Sequence, residues 1–296
     1  RTVLVRERAK QGLLQEFEQV VYAKGHLQPG RETFDCVRRF RDHYADILNG
    51  DHQVELESWE FDNILTLLRE AGRADFWVPP VLYFLDIYGH HRITAFMKKL
   101  ENKFSGDWFL RGTPTSRIEA MNRILRKIYE IEQKGGMKDD KIDSLLSSDV
   151  FSVDTVELFR RLDHWPIYGQ PYGAYLLLKI DMITGGPTNR LQPPRQISVE
   201  HVLPQNPAGN SKWCADFSDI EREEWTNRLG NLVLIGRRKN ASLGRRDFGE
   251  KKTRYFSSHV QTFASAMKVM KEVDWTPGTL QQFHQERIID LKSYFA

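Results

Sequence analysis

Apolar residues recur at helical spacing through most of the first 180 residues. Leu13, Leu14, Phe17, Val20 and Val21 make one face. Phe61, Ile64, Leu65 and Leu68 make a second, and Ile118, Met121, Ile124, Leu125, Ile128 and Ile131 a third. Val81 to Leu85 follows Pro79-Pro80, as suits a buried helix whose first turn tolerates proline. Gly135-Gly136 and Gly185-Gly186-Pro187 punctuate the series. From about Thr184 to Gln196 the composition shifts to Gly, Pro, Asn and Gln, which marks an expected boundary. The period then changes. Ile197-Ser198-Val199 is short, β-branched and ends at Pro204, and Asn231 to Ile235 is a second apolar run of strand length closed by Gly236. Helical spacing returns at Val260, Phe263, Ala264, Met267 and Met270, and again from Leu280 to Leu291. The pattern predicts a mainly α chain in two parts: a helical module over 1–190 and a small strand-containing domain with C-terminal helices over 191–296.

Charge changes this picture more than bulk composition does. Among 296 residues the net charge is only +3, yet it is uneven. Between Arg228 and Arg254 nine basic residues stand against Asp247 and Glu250, so this stretch carries +7 and the rest of the chain is acidic. A localised basic patch points to a polyanionic partner, although a solvated charged face is a common use of such runs. No apolar run approaches the ~20 residues that cross a bilayer, so no membrane partner is expected. Cys36 and Cys214 are the two cysteines, too few for a disulfide framework and without a C-x-x-C pair for zinc, which fits a cytoplasmic, reduced protein. The start at Arg1-Thr2-Val3 reads as that of a fragment of a longer protein.

Val199-Glu200-His201-Val202-Leu203-Pro204-Gln205 is the sharpest chemical signal. A carboxylate and an imidazole sit side by side where a strand gives way to a loop. Adjacent strand residues point to opposite faces, so both reach one site only through a distortion. About 30 residues on come Leu229-Gly230-Asn231-Leu232-Val233-Leu234-Ile235, then Lys239-Asn240 and Phe248-Gly249-Glu250-Lys251-Lys252. Alone, a Glu-His pair is more often structural than catalytic. Pro204, the Asn-Leu-x-Leu strand and Asn240 in order give it weight.

This order resembles the HNH, or ββα-metal, nuclease motif. More narrowly, residues 197–258 are similar to the C-terminal nuclease domain of GmrSD-type restriction enzymes, and Tyr172 to Leu178 and Trp225 to Arg228 fit that family loosely. The resemblance implies a small ββα-metal core in a metal-dependent DNA endonuclease that nicks one strand at a time and leaves 5′-phosphate and 3′-hydroxyl ends. His201 is then the general base, with an ordinary pKa suited to neutral pH. Glu200 and Asn240 hold one Mg2+ or Mn2+ through oxygen ligands. Asn231 belongs to the catalytic motif and braces it by hydrogen bonds. Lys251 contacts DNA phosphates or developing charge, and Arg237, Arg238, Lys239, Arg245, Arg246, Lys252 and Arg254 make the DNA-binding set. Three departures are visible: Asn240 where many members have His, Glu200 where many have Asp, and no paired cysteines for structural zinc. The implied partners are double-stranded foreign or phage DNA and an upstream nucleotide-hydrolysing sensor domain, in a bacterial anti-phage system.

Other readings compete. A non-catalytic DNA-binding or subunit-interaction module accounts for the basic patch without chemistry, and RNA cleavage is the alternative among enzymes. Asp86 with His90-His91 has ligand spacing, but without a third ligand a helix-end hydrogen bond is the better reading. Trp213 and Trp225 read as core anchors of the long loop, and Cys214 as a small buried hydrophobe. No G-x-x-x-x-G-K-[ST] or G-x-G-x-x-G occurs, so nucleotide hydrolysis is not expected of this segment.

Overall fold

Caps and prolines set the helix starts. In the computed structural model, which describes residues 1–49, 58–72, 74–236, 244–256 and 263–296, Thr113 accepts from the Ser116 amide at 3.1 Å and Pro114 occupies the first turn behind it. The first compact unit, Arg1–Asp154, contains α1 (Thr2–Val5), α2 (Leu13–Glu16), α3 (Arg31–Asn49), α4 (Glu60–Arg69), α5 (Val78–Tyr88), α6 (Ile93–Phe109), α7 (Pro114–Gln133) and α8 (Lys138–Leu146). Helix α6 packs on α4 and α7, and α5 on α3 and α7. Phe84 and Phe96 stack at 4.2 Å between their ring centres in this core. The guanidinium of buried Arg117 lies over the rings of Phe104 and Trp108, 4.7 Å from each.

The apolar faces at 61–68 and 118–131 turn inward, except that Ile118 is half-buried. The first face does so only in its second half, at Phe17, Val20 and Val21. Leu13 and Leu14 are 75% and 70% exposed, because α2 lasts four residues and the chain then widens at Phe17–Tyr22 into an i→i+5 turn that moves the inward stripe to Val21. Asp86 and His90 also part company: Asp86 pairs with Arg39 at 2.7 Å and His43, while His90 faces Asp46 at 3.2 Å.

The second unit, Thr155–Ala296, begins well before residue 190. Its elements are α9 (Thr155–His164), α10 (Gly173–Gly185), β1 (Ile197–His201), α11 (Lys212–Asp216), α12 (Asp219–Trp225), β2 (Leu232–Gly236), α13 (Phe248–Phe256), α14 (Ala264–Lys271) and α15 (Pro277–Phe295). The Gly/Pro-rich stretch at 184–196 begins in the last turn of α10 and continues as a loop inside this unit rather than a linker between units. Helix α10 precedes that loop yet packs on α14, α15 and β2. Strands β1 and β2 pair antiparallel, from Ile197 opposite Gly236 to His201 opposite Leu232. All five β2 residues are buried. Helix α15 crosses α9 and the turn at Leu229–Asn231 that leads into β2. Among the described residues no helix is long and apolar enough to cross a membrane.

Candidate active site

Strand β1 runs in regular register to its last residue, so Glu200 and His201 leave it on opposite faces and find different partners. Glu200 meets α13. Phe248 of that helix is buried, and Lys251, three residues on, shares its inward side. The Lys251 ammonium donates to Glu200 Oε1 at 2.7 Å, the His201 carbonyl at 2.7 Å and the Val202 carbonyl at 3.0 Å. Three acceptors use its three protons. Burial pushes the Glu200 carboxyl up and the Lys251 amine down, and their ion pair opposes both shifts. The lysine is fully buried, so in this conformation it is not a phosphate contact: its charge is spent on the carboxylate and on the end of β1.

His201 is 8% exposed and turns toward α12 and the α9–α10 connection. Its Nε2 lies 3.1 Å from Asn227 Oδ1, which also accepts from Gln205 Nε2 at 3.3 Å. The Tyr168 ring meets the imidazole edge-on, with centres 4.3 Å apart. Burial pulls the His201 pKa below its ordinary value, against the Asn227 bond, and so favours a neutral ring at pH 7.

Asn231 ties the two motif segments together. Its Oδ1 accepts from the Leu203 amide at 2.7 Å, and its Nδ2 donates to the Leu203 carbonyl at 2.9 Å and the Thr226 carbonyl at 2.8 Å. Its own carbonyl accepts from the Val202 amide at 3.0 Å. The turn beneath is held by α15: the Gly230 amide donates to His284 Nδ1 at 3.1 Å, and Arg287 Nη1 donates to the Leu229 and Leu232 carbonyls. His284 Nε2 reaches Asp163 Oδ1 at 2.9 Å. His284 and Arg287 escaped the sequence reading, although two buried polar residues three apart on an otherwise apolar helix face are a visible signal. Asn227 and Gln205 fell inside the segments Trp225 to Arg228 and Val199 to Gln205 without a role of their own, and Tyr168 carried no signal, since only the fold brings the three together beside His201.

The basic set divides. Arg237, Arg238, Lys239 and Asn240 lie outside the described residues. Arg245 and Arg254 are exposed, and Arg246 is exposed but pairs with Glu250 at 3.0 Å. Lys252 is half-buried and donates to the Glu272 carbonyl. Trp213 and Trp225 are buried, and the Trp213 indole donates to the Arg246 carbonyl at 3.0 Å. Cys214 is only partly buried, its thiol 3.3 Å from the Ala208 carbonyl.

Among the described residues no three His, Cys, Asp or Glu side chains gather as a metal cage. Glu200, the described member of the expected pair, already has Oε1 on Lys251. The described donors therefore do not by themselves fit a divalent ion. A cavity of about 660 Å³ elsewhere in the unit, walled by Asp181, Arg190, Lys268 and Lys271, contains none of the motif residues. No curated protein matches the chain. Residues 162–290, which take in β1, β2, α13 and every candidate residue, match the family model of the C-terminal domain of GmrSD restriction endonucleases, the family that the motifs resemble.

Proposed function

We propose that the second unit is a DNA endonuclease of the HNH type, a nickase, in which His201 removes the proton from the attacking water. The family match supports a nuclease role of the restriction-endonuclease kind. The antiparallel pair of β1 and β2, with α11 and α12 in the connection between them and α13 after β2, supports the ββα reading of the fold. The observation that carries the assignment is the state of His201: a shielded imidazole at the end of β1, kept neutral by burial, beside a turn that Asn231 laces shut. A neutral ring accepts a proton, which a general base must do. Lys251 holds the strand end that carries this base through the His201 and Val202 carbonyls.

Mg2+ or Mn2+ belongs to this reading as the charge that offsets the scissile phosphate. Glu200 takes part as a ligand only if it shares or releases Lys251, so no step is assigned here through an ion. The setting that follows from the family is restriction of foreign or phage DNA, with a nucleotide-hydrolysing sensor as partner and double-stranded DNA as substrate.

The buried Glu200–Lys251 pair favours one competing reading, a domain that binds DNA without cutting it. One experiment separates them. Supercoiled plasmid is incubated with the protein in Mg2+, in Mn2+ and in EDTA, beside His201→Ala. Conversion to open circles that needs both the ion and His201 establishes the nickase. DNA binding that is equal in EDTA, with no conversion under any ion, sinks it in favour of the binding module.

A further inference from the structure

We infer that Asn227 is the positioning residue of His201: it fixes which imidazole nitrogen carries the hydrogen and which one is left to take a proton from water. The inference rests on His201 being the base. An amide oxygen has no hydrogen to give, so the 3.1 Å contact with Asn227 Oδ1 requires the hydrogen on His201 Nε2 and leaves the lone pair on Nδ1. The other tautomer sets a nitrogen lone pair against an oxygen lone pair.

Two further contacts keep Asn227 from yielding. The same Oδ1 accepts from Gln205 Nε2, so Asn227 turns the other way only if the Gln205 amide turns with it. The Asn227 carbonyl accepts from the Ile167 amide at 2.8 Å and the Tyr168 amide at 3.2 Å, which bolts the residue to the segment whose tyrosine ring packs against His201. The imidazole is thus held at its edge by Tyr168 and at Nε2 by Asn227. A neutral amide, unlike a carboxylate, orients the ring without adding charge.

The test uses the whole chain with nitrogen-15 histidine, at pH 8. His201 is assigned among the nine histidines by the resonance that disappears in His201→Ala. Its tautomer is read by NMR in the wild type, in Asn227→Leu, which keeps the volume without the acceptor, and in Asn227→Asp, which keeps the acceptor. Plasmid nicking is measured in parallel. The expected result is a hydrogen on Nε2 in the wild type and in Asn227→Asp, and a mixture in Asn227→Leu. The kcat of Asn227→Leu should fall at least tenfold with KM for plasmid unchanged, and Asn227→Asp should recover most of it. A wild-type His201 with the hydrogen on Nδ1, or an unchanged tautomer in a folded Asn227→Leu, overturns the inference. If the wild type does not nick at all, the nuclease reading fails, while the tautomer still decides whether Asn227 governs the ring.

Discussion

Lys251 Nζ stands 2.7 Å from Glu200 Oε1, with both side chains buried and the lysine's two remaining protons on the His201 and Val202 carbonyls. The pair joins α13 to the end of β1 and sets the course of the chain through the candidate base. Lys251→Met should cost about 3–5 kcal/mol, because it strands a buried carboxylate. Adding Glu200→Gln removes the stranded charge, so the double variant should lose less than the sum of the two single ones. Urea denaturation of all four proteins checks this. Strict additivity would show that the two residues do not depend on each other.

Gly230 is where helix α15 comes closest to the motif. A Cβ on this residue would lie 2.6 Å from His284 Cβ and 3.1 Å from the Leu280 carbonyl oxygen. Both neighbours belong to a well-packed helix, so Gly230→Ala should destabilise by about 1–3 kcal/mol. It should also reduce nicking, since Asn231 follows directly. Wild-type stability in this variant would mean that α15 shifts freely away from the turn.

Asp181 makes stability depend on acidity. Its Oδ1 accepts from the Ser265 amide at 2.8 Å and hydroxyl at 3.0 Å, yet burial pushes the carboxyl up to about 6. A folded carboxyl that holds its proton more tightly than the unfolded one stabilises fully below about pH 4, and this contribution is lost as the pH rises through 6. The shift amounts to about 3 kcal/mol at 1.36 kcal/mol for each pH unit. Asp181→Asn should therefore lose little or nothing at pH 7 relative to the wild type and clearly more at pH 4.5. Urea midpoints at the two pH values measure the difference. A constant gap between the two proteins would remove Asp181 as its source.

Arg245, Arg246 and Arg254 are the exposed residues of the described basic stretch, and the first two are adjacent. Reversing both charges should weaken DNA binding and flatten its dependence on salt, by a slope of about 0.9 for each phosphate that is no longer neutralised. Arg246 gives the smaller share, since Glu250 already neutralises part of its charge. A salt slope equal to that of the wild type would turn this stretch away from the DNA.

The strands were legible almost to the residue, because β-branched and apolar runs ending at Pro204 and Gly236 leave few alternatives. The helical face at 118–131 was legible for the same reason: one helix, one period. Leu13 and Leu14 misled because a change of helical pitch rotates the stripe without altering the spacing that is counted. The boundary misled because Gly and Pro report a turn, not which core the flanking helices join. Of the candidate residues, adjacency along the chain singled out Glu200 and His201, and the family resemblance added Asn231 and Lys251. The pairings were hidden by distance: Lys251 lies 51 residues from Glu200, and Asp163 lies 121 residues from His284. Chemistry placed together by folding leaves no local pattern to read.

The burial of every residue of β2 bears on what can be carried from one protein to another. A strand with no wet residue owes its solidity to the walls around it: α10 and α14 pack on β2, and α15 packs on the turn that leads into it. The stretch from Ile197 to Phe256 contains every candidate residue but omits all three walls. Cut out by itself it would be a strand pair without walls, and a graft of this candidate cassette onto another scaffold would succeed only if it took the surrounding helices with it.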